Sequence, residues 1–506
     1  MKTPNKNLGT VWGRDSEQPV FNSLNGDLEA DVAIIGGGIT GISAAYLLSK
    51  AGLQVIVLEA AEVGKGTTGF STGNLYAPID SRLFSLDEKH GGDAVKEVVA
   101  SRVAAIDFIE ERVDEFGIEC GFQRVPWHLF TTPVEDNGMG EILKEHRAAL
   151  EAGLEVSTRV PADFPLSVTD IITIPGQAQF DPLVYTRELA ANISSRHCQI
   201  FENTPVLDIS DKDPCVLLTH NGTVRAKKVI MATHTPKGIY AVQAAMESKR
   251  EFALAVRLKV PLPPPAIYWH ATAGGQYSIR PYQSSEGDYL IVLGRSYTVG
   301  KNDQMKGSYQ SLEKYIRSRF DVERIDHIWA AQNYRPADHL PYIGKSVGDN
   351  NIYIATGFAA DGLVYGTTAA LIISDLIQDK NNKWEQLYDP KRLTPVASAK
   401  TVIKENLHVG KELLKDYIFY DRNTELNQLK DGEGKLVTVD GEKVAAHRDG
   451  QGTLHLVSSI CPHMGCIVHW NEVETSWDCP CHGSRFSIDG DVIEGPAYQG
   501  LAKPSK

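Results

Sequence analysis

The sequence is poor in positive charge and has no long apolar run. Its 506 residues include 51 Lys and Arg against 64 Asp and Glu, a formal net charge of −13. Nucleic acids and anionic membranes attract basic surfaces, so neither is expected as the main partner. The nearest candidate for a membrane span, AALIISDLI at residues 369–377, is far shorter than a bilayer requires, and no transmembrane segment is expected.

The N-terminus also lacks the marks of an exported protein. Residues 1–20 contain neither an apolar core nor twin arginines, so we expect no export signal and predict a cytoplasmic location. With 42% hydrophobic and 23% charged residues, the composition is that of an ordinary globular protein. A chain of this length is too large for a single core, and two or more units are expected.

Cysteine is scarce, with seven residues in the whole chain. Cys120, Cys198 and Cys215 stand alone in the sequence and are predicted to be buried apolar fillers. The other four lie with two histidines in two short segments, CPHMGC from residue 461 and CPCHGSRF from residue 479. Because cytosolic thiols normally stay reduced, this concentration of cysteine and histidine needs a separate explanation.

What the sequence does contain is a complete strand–helix–strand pattern at residues 30–60. An apolar, β-branched strand leads into Gly36, Gly38 and Gly41 with GxGxxG spacing, a helical pattern follows, and a second strand ends at Glu59. In such a unit the glycines allow a tight turn and a close backbone approach to a pyrophosphate, and the acid accepts hydrogen bonds from a ribose. The pattern predicts a dinucleotide-binding fold.

A second glycine run, GKGTTG at residues 64–69, fits the same spacing but precedes no apolar helix. We interpret it as a loop laid over a cofactor and not as a second dinucleotide site. Because the chain then holds one fingerprint, an enzyme that takes its electrons from NAD(P)H is disfavoured.

Residues 10–379 resemble the D-amino-acid oxidase/glycine oxidase/sarcosine oxidase-like family of FAD-dependent oxidoreductases. Five stretches in family order carry the resemblance: GKGTTGFSTGN from residue 64, GQAQFDPLVYTREL from 176, KKVIMATHTP from 227, IWAAQNYRPADHLPYIG from 328 and NIYIATGFAADGLVYGTTAALIISDLI from 351. The first stretch has Phe70 and Ser71 where many members have Arg and Asn. The resemblance implies one FAD. Because the sequence has no cysteine before Cys120 and no histidine at residues 64–74, we expect the FAD to be held without a covalent bond.

The same resemblance implies which residues contact FAD. Besides Gly36, Gly38, Gly41 and Glu59, they are Thr67, Thr68, Ser71, Thr72, Gly73, Asn74, Val206, Thr233, Gly357, Gly362 and Leu363. Gly357 and Gly362 would let a strand–loop–helix approach the isoalloxazine ring. The N-terminus of that helix would then lie near the N1–C2=O edge of the ring, where the helix dipole favours negative charge.

The implied chemistry is oxidation of a C–N bond of an amine or amino acid by hydride transfer to the flavin. Residues 275–297 alternate like an antiparallel strand pair around an SSEG turn, and Arg280 and Tyr282 fall where family members bind a carboxylate. A bidentate Arg clamp would orient an amino acid; the alternative is that Arg280 is a solvated strand residue. Arg335 is a further substrate-orienting candidate. Additional pocket candidates are His339, Tyr342 and Tyr365.

From residue 429 the sequence changes to short strands with DGE and DGQG turns, which predicts a small all-β unit. Within it, Cys461-x-His463 is followed after fifteen residues by Cys479-x-x-His482. Zinc is one interpretation. Zinc knuckles usually carry CxxC or HxxxH spacing, however, and a zinc site would leave two thiols unexplained.

The pattern CxHxGC followed by CPCHGS resembles the Rieske iron–sulfur domain over residues 424–502. The resemblance implies one [2Fe–2S] cluster in which Cys461 and Cys479 bind one iron and His463 and His482 bind the other.

Four further features follow from this resemblance. It implies a disulfide between Cys466 and Cys481 that braces the two cluster loops. Ser484 would donate a hydrogen bond to a bridging sulfide. Phe486 stands where high-potential members carry a tyrosine, so a potential in the middle of the Rieske range is expected.

The predicted fold class is α/β: an FAD-binding Rossmann-type sheet with an inserted antiparallel β substrate domain, followed by a small all-β Rieske domain. The oxidoreductase is predicted at residues 1–380, with an interleaved β region at about 85–165 and 240–335 and a closing flavin segment at 351–377. A linker with an amphipathic helix is predicted at 381–422 and the Rieske domain at 423–506. A membrane-surface role for that helix is an alternative.

Joining a two-electron flavin to a one-electron cluster predicts an electron relay. The predicted function is a dehydrogenase that passes electrons from an amine or amino acid through FAD and the cluster to a soluble acceptor (a ferredoxin or cytochrome) or to a quinone. Two alternatives stay open. One is a reductase in which electrons run from a partner through the cluster to FAD, and the other is an oxidase whose cluster is a brace or redox sensor.

Overall fold

The structure is a computed structural model of the chain. It describes residues 7–13, 19–133, 139–272, 275–300, 302–392, 426–439 and 442–504. The amphipathic helix that the linker sequence predicts, with its apolar positions between Val402 and Leu414, lies outside the described residues.

The secondary structure alternates between helices and strands as far as residue 392 and is almost entirely strand thereafter. The strands, numbered in chain order, are β1 Asn7–Leu8, β2 Leu28–Ile35, β3 Val55–Leu58, β4 Asn74–Leu75, β5 Gln123–Phe130, β6 Ile171–Gln179, β7 Cys198–Phe201, β8 Asp208–Ser210, β9 Cys215–Leu218, β10 Thr223–Met231, β11 Met246–Leu258, β12 Ile267–Thr272, β13 Gly275–Ser284, β14 Gly287–Thr298, β15 Val322–Pro336, β16 Tyr342–Lys345, β17 Ile352–Thr356, β18 Gly434–Val439, β19 Glu442–Arg448, β20 Leu454–Ser458, β21 His469–Asn471, β22 Ser476–Asp478, β23 Arg485–Phe486 and β24 Val492–Glu494.

The helices are α1 Ile39–Lys50, α2 Leu83–His90, α3 Gly92–Phe116, α4 Met139–Glu151, α5 Pro182–Ile193, α6 Asn302–Arg319, α7 Gly362–Ile377 and α8 Glu385–Tyr388. Single 3-10 turns lie at Ala241–Ala245, Pro390–Arg392 and Leu426–Gln428. Within the described ranges, none of these helices is long and apolar enough to cross a membrane.

The first sheet is the dinucleotide-binding sheet that the glycine pattern predicts. Its strand order is β16-β17-β10-β2-β3-β7; in addition, β9 pairs with β10, and β8 pairs with β9. The pairs from β17 to β7 are parallel. The last four residues of β2 and all of β3 are buried. A parallel sheet needs such apolar strands because both of its faces are covered: here α1 and α7 cover one face, and strand and loop residues cover the other.

The second sheet is the inserted β layer, with the order β1-β15-β11-β14-β13-β12-β5-β6-β4. Strands β13 and β14 form the predicted hairpin, in which Ser284 pairs with Gly287. Residues 85–165, expected to be strand-rich, are mainly helical: α2, α3 and α4 surround the single strand β5. In α3 the buried Val95, Val98, Val99 and Arg102 repeat with helical spacing, and this period decides the local structure.

The C-terminal unit is all-β apart from one short turn, as predicted. Strands β18–β20 form an antiparallel sheet and β21–β24 form a second one. Trp477 and Phe486 pair across β22 and β23 and are fully buried. They pack with the two cluster loops in one small core, so the loops are part of the folded body of the unit.

The three isolated cysteines are buried free thiols, as the sequence predicts. Burial raises the pKa of Cys120 and of Cys198 to about 12, and that of Cys215 to about 11. A thiol with so high a pKa is a poor nucleophile and a poor metal ligand at neutral pH. These cysteines therefore act as packing groups.

Candidate functional site

The glycine turn between β2 and α1 brings two backbone segments into direct contact. Gly36 has φ +105°, and a Cβ there would lie 2.5 Å from the Ala232 carbonyl oxygen. A Cβ on Gly41 would lie 2.0 Å from the Gly36 carbonyl oxygen. No side chain fits either space, so the helix start stays close to the strand, as dinucleotide binding requires.

The N-terminus of α1 is built to receive an anion. Its N-cap residue, Gly38, supplies no side-chain cap, while the Thr68 hydroxyl oxygen accepts a hydrogen bond from the Ile39 N–H at 3.1 Å. A helix start without its own acidic cap leaves its positive dipole end for a ligand phosphate. This cradle fits the pyrophosphate of FAD.

Glu59 lies at the end of β3, as predicted. Its carboxylate accepts hydrogen bonds from the Gly37 N–H at 2.7 Å and from the Ala61 N–H at 2.9 Å. Burial raises the pKa of Glu59, although these two hydrogen bonds oppose the rise. The two bonds fix the carboxylate beside the glycine turn. Its contact with a ribose stays a prediction.

The loop at residues 70–73, predicted to lie over the flavin, is held from outside by side-chain donors. Four successive carbonyl oxygens accept hydrogen bonds: Phe70 from the Trp329 indole at 2.9 Å, Ser71 from the Trp12 indole at 2.9 Å, and Thr72 and Gly73 from Arg280 at 2.8 Å each. Both tryptophans and the arginine are buried. The inserted β layer and the N-terminal segment therefore set the shape of this loop.

Arg280 is a loop anchor in this structure. Its guanidinium also donates to the Phe180 carbonyl at 3.1 Å and lies against the rings of Trp12 and Tyr282, 5.2 and 5.5 Å from their centroids. Burial lowers the pKa of Arg280 to about 10. With 4% exposure it is not the solvated strand residue of the alternative interpretation. A carboxylate-binding role stays a prediction, and these contacts give it no support.

Tyr282, the second substrate candidate, packs edge-on against Trp12 with 4.8 Å between ring centroids. Its hydroxyl donates to the Asp181 carboxylate at 3.4 Å. Asp181 in turn caps α5 by accepting hydrogen bonds from the Leu183 and Val184 N–H groups. Tyr282 thus belongs to the same outer support of the flavin loop as Arg280.

Arg335 lies in a different environment, among acids. Its guanidinium pairs with Asp80 at 3.1 Å and with Glu251 at 2.7 Å, and its side chain remains 31% exposed. Burial raises the pKa of Glu251 to about 6 despite the opposing charge of Arg335. Close by, the buried Arg102 and Asp361 form a second ion pair at 3.4 Å.

The closing segment supplies the space that a ring system needs. Gly357 has φ +79°, and a Cβ there would lie 2.7 Å from the Pro336 side chain. At Gly362, the first residue of α7, an added Cβ would meet nothing within 4 Å, and Leu363 is buried behind it. The open space at a helix N-terminus fits the flavin edge predicted for this position.

The remaining residues predicted to contact FAD or to line the substrate pocket lie near the glycine turn, the flavin loop and the closing segment. Asn74 donates to Thr72 and to Ser278, and the Ser71 hydroxyl donates to the Thr68 carbonyl. Thr67 contacts His234 at 3.2 Å, Thr233 donates to the Thr235 carbonyl, and Val206 is buried against the first sheet. Tyr365 stacks on Phe358, Tyr342 lies under Arg392, and burial lowers the pKa of His339 to about 4.

The two cysteine–histidine segments form a pair of facing turns. The Cys461 N–H donates to the Cys466 carbonyl at 2.8 Å, and the Cys479 N–H donates to the Ser484 carbonyl at 2.8 Å. The disulfide expected between Cys466 and Cys481 is present and joins one turn to the other. A hydrogen bond therefore stabilises each turn, and the disulfide joins the two turns to each other.

Four side chains are left to bind a metal centre between the turns. Cys461 and Cys479 are buried free thiols, and the ring centroids of His463 and His482 are 5.0 Å apart. His482 Nδ1 is buried and has no hydrogen-bond partner among the described residues. An orphaned imidazole nitrogen beside two thiols fits a metal ligand set. Cys466 and Cys481 lie nearby, but their disulfide excludes them as ligands.

Ser484 and Phe486 lie behind this ligand set. Ser484 is fully buried, and its hydroxyl accepts a hydrogen bond from the Ala497 N–H at 3.1 Å. Phe486 is fully buried in the core and brings no hydroxyl. The expectation of a mid-range potential stays a prediction.

The cluster turns face the first part of the chain and contact it directly. His463 Nε2 donates to the Gly238 carbonyl at 3.1 Å. The Gly483 carbonyl accepts from Gln332 at 2.8 Å, and the Gly495 carbonyl accepts from the Tyr334 hydroxyl at 3.1 Å. His482 lines a narrow cleft, too small to hold a water molecule, together with Thr235, Gln243, Met246, Ser248 and Tyr334.

A buried charge network fastens this contact. Arg250, 2% exposed, donates to Glu474 at 2.8 Å and to Glu494 at 3.1 Å, and Arg485 pairs with Glu474 at 3.2 Å. Burial would raise the pKa of Glu494, but His234 and the two arginines lower it to about 2. Charges buried in this way are stable only as a paired set, so the network fixes how the two parts dock.

Side chains connect the predicted flavin site to the cluster turns. The Met246 sulfur lies 3.8 Å from the Thr356 hydroxyl in the closing segment, and Met246 also lines the His482 cleft. In parallel, Thr67 contacts His234, whose ring centroid is 4.8 Å from that of Tyr334, another residue of the cleft. The two sites are thus linked through buried protein.

Sequence reasoning missed this docking surface. Arg250 and Ser248 alternate along β11, and Gln332 and Tyr334 alternate along β15; all four contact the C-terminal unit or line the His482 cleft. The sequence gives no usable signal for it, because residues 247–251 of β11 and 332–335 of β15 are polar without interruption, so no alternation separates one face of these strands from the other.

Comparison with known proteins identifies the class. A family described as "FAD dependent oxidoreductase" matches residues 31–376, and the "Rieske [2Fe-2S] domain" matches residues 422–505. The chain belongs to the FAD-dependent oxidoreductase family and carries a Rieske domain. It is an oxidoreductase whose cofactors are FAD and a Rieske-type [2Fe–2S] cluster, which excludes the zinc interpretation. Non-covalent attachment of the FAD and the individual ligand assignments stay predictions.

Particular relatives agree with this assignment. The chain is 34% identical over 499 residues to the "Putative Rieske 2Fe-2S iron-sulfur protein YhfW" of Bacillus subtilis, covering 97% of this chain and 96% of the relative. It is 22% identical over 379 residues to the Escherichia coli gamma-glutamylputrescine oxidoreductase, covering 72% and 87%. The solved glycine oxidase from Geobacillus kaustophilus superposes with a TM-score of 0.59 at 20% identity, covering 72% of this chain and 100% of that one.

Replacing His482 with Ala is expected to remove the cluster and spare the flavin. The variant loses one of four ligands, while the glycine turn and the loop at residues 70–73 are untouched. Iron and acid-labile sulfide should fall to background, with FAD content unchanged. His455→Ala is the control, since His455 lies in the same unit but pairs with Asp449 and Asp489. A full cluster in the His482 variant would contradict the assignment.

Replacing Arg280 with Met is expected to loosen the flavin loop. Three carbonyl oxygens lose a charged donor, so the dissociation constant for FAD should rise roughly tenfold or more. Fluorescence titration of the apoprotein with FAD measures the change. The control is Arg324→Met in the same sheet, because Arg324 is 52% exposed and pairs with Glu323 and Asp326. Unchanged FAD affinity in the Arg280 variant would show that the anchor is dispensable.

Proposed function

We propose that this protein is an FAD-dependent dehydrogenase that oxidises a C–N bond of an amine or amino acid. It delivers the electrons through its Rieske cluster to an external acceptor, either a soluble ferredoxin or cytochrome or a quinone. The relatives support the first half, because gamma-glutamylputrescine and glycine, for which two of them are named, both contain C–N bonds. The docking of the cluster turns supports the second half.

The observation that carries the relay is the placement of both cluster histidines against the FAD-binding part. His463 donates to the Gly238 carbonyl, and His482 shares a cleft with Met246 and Tyr334. Met246 reaches the closing flavin segment at Thr356. A cluster used only by outside partners would need no such contact with the interior of its own chain.

When bound, FAD accepts the two electrons of C–N oxidation, and the cluster carries single electrons. The residues of the chain position the two cofactors. The pinned loop at residues 70–73 and the N-terminus of α7 would hold the flavin, and the paired strands β11 and β15 carry Met246 and Tyr334, which line the His482 cleft. Arg335, with Asp80 and Glu251, presents charge to the substrate on the opposite face of those strands.

Anaerobic mixing with a panel of amines and amino acids tests the proposal. A substrate should bleach the flavin absorbance, and the EPR signal of a reduced Rieske cluster should follow in the same sample. The His482→Ala variant supplies the control, since its flavin should bleach with no EPR signal. Flavin bleaching in the native protein with no cluster signal would contradict the relay and favour an oxidase braced by its cluster. Reduction of the flavin only through the cluster would favour the reductase.

Replacing Arg250 with Met is expected to uncouple the two redox sites. Of their two buried arginine partners Glu474 and Glu494 would keep only Arg485, so the carboxylates would be partly unpaired and docking would weaken. Stopped-flow absorbance should show unchanged flavin reduction by substrate and cluster reduction slowed by about tenfold or more. Arg257→Met is the matched control, because Arg257 lies on the same strand but pairs with Asp326. Equal cluster reduction in both variants would refute the role of Arg250.

A further inference from the structure

The guanidinium group of Arg335 is already neutralised by acids of its own chain. Asp80 and Glu251 lie 3.1 and 2.7 Å from its two terminal nitrogens, and its Nε donates to Asn333 at 3.0 Å. Both acids are mostly covered, with side-chain exposures of 13% and 10%. Each is also held in place: Gln276 donates to Asp80 at 3.4 Å, and Glu251 lies within the central strand β11.

A second ion pair, Arg102 with Asp361, lies behind Arg335. Arg102 is fully buried and donates to the carbonyl oxygens of Tyr76, Ala77 and Pro78. It pairs with Asp361 at 3.4 Å, and the other Asp361 oxygen accepts the Asp80 N–H at 3.0 Å. Together, three carboxylates face two guanidinium groups, so this set of five side chains carries a net negative charge. Its members are Asp80, Glu251, Asp361, Arg335 and Arg102.

Incompletely paired polar atoms mark the same place as a binding site. The Tyr365 hydroxyl and Arg102 Nη1 are buried and have no hydrogen-bond partner among the described residues, and Asp361 Oδ1 makes the 3.4 Å ion pair with Arg102 but no hydrogen bond. Asp361 and Tyr365 are 4% and 2% exposed and flank the start of α7 at Gly362, where a Cβ would meet open space. Buried polar atoms without partners are rare in folded proteins, and here they gather beside the predicted flavin edge.

We infer that the substrate of the proposed dehydrogenase is an amine with no carboxylate on its reacting carbon, and not an amino acid. This inference rests on the proposed function. A carboxylate at Arg335 would have to share the guanidinium with Asp80 and Glu251, and the repulsion from these two covered carboxylates opposes its binding. An aliphatic amine imposes no such cost, and a second ammonium group on it, as in a diamine, would be attracted by the surplus negative charge.

Matched pairs of substrates test the inference in the holoenzyme. Each amino acid is compared with the amine that remains when its carboxylate is removed: ornithine with putrescine, lysine with cadaverine, and sarcosine with dimethylamine. The second-order rate constant for anaerobic flavin bleaching should favour the amine by about tenfold or more in at least one pair. Equal or faster bleaching by the amino acids would overturn the inference and leave the proposed function standing.

A binding measurement covers the case in which no compound bleaches the flavin, an outcome that would defeat the proposed function. Acetate and n-butylammonium are titrated into the oxidised holoenzyme, and binding is followed by the shift of the flavin absorbance. The native protein should bind n-butylammonium and bind acetate at least about tenfold more weakly. Tighter binding of acetate would overturn the inference on its own.

The variant Glu251→Gln removes the surplus negative charge with little change in shape. Removing one carboxylate leaves Arg335 partly free, so acetate should bind about tenfold more tightly than in the native protein and n-butylammonium more weakly. Glu323→Gln removes one charge from the neighbouring strand, where Glu323 is 49% exposed, and should change neither. Melting temperature and FAD content establish that both variants fold. Unchanged acetate binding in Glu251→Gln would refute the assignment of this group to the substrate site.

Discussion

The architecture depends on the alternation of side chains along two neighbouring strands. β11 and β15 pair so that Ser248 lies opposite Tyr334 and Arg250 opposite Gln332, on the face that meets the cluster turns. The residues that alternate with these, including Glu251 and Arg335, point to the other face, where Glu251 and Arg335 form an ion pair. One strand pair therefore serves two sites, and a register slip of one residue would exchange their contents.

The docking of the cluster turns gains specificity from charge. Arg250, Arg485, Glu474 and Glu494 satisfy one another in a buried network. Such a network contributes little net free energy, since desolvation offsets attraction, but any misplaced docking leaves a buried charge unpaired. The backbone carbonyl oxygens of Gly238, Gly483 and Gly495 then fix the distance between the two parts.

Much of this could be predicted from the sequence because it is local. The turn with Gly36 and Gly41, the hairpin of β13 and β14 and the four cluster ligands are each encoded within a few dozen residues. The roles of Arg280 and Arg335 could not be predicted, because they depend on partners far away in the chain: Arg280 reaches residues 72, 73 and 180, and Arg335 reaches residues 80 and 251. Residue type and strand position say nothing about which acceptors the fold will bring near.

The hydrogen bond from His463 to Gly238 has a consequence for assembly of the metal centre. Because Nε2 carries the proton that it donates to the carbonyl, Nδ1 is left as the basic nitrogen of the ring. An outer acceptor of this kind selects the ligating nitrogen and orients the imidazole. Here the acceptor belongs to the FAD-binding part of the chain, so the larger unit orients the imidazole of a predicted cluster ligand in the smaller one.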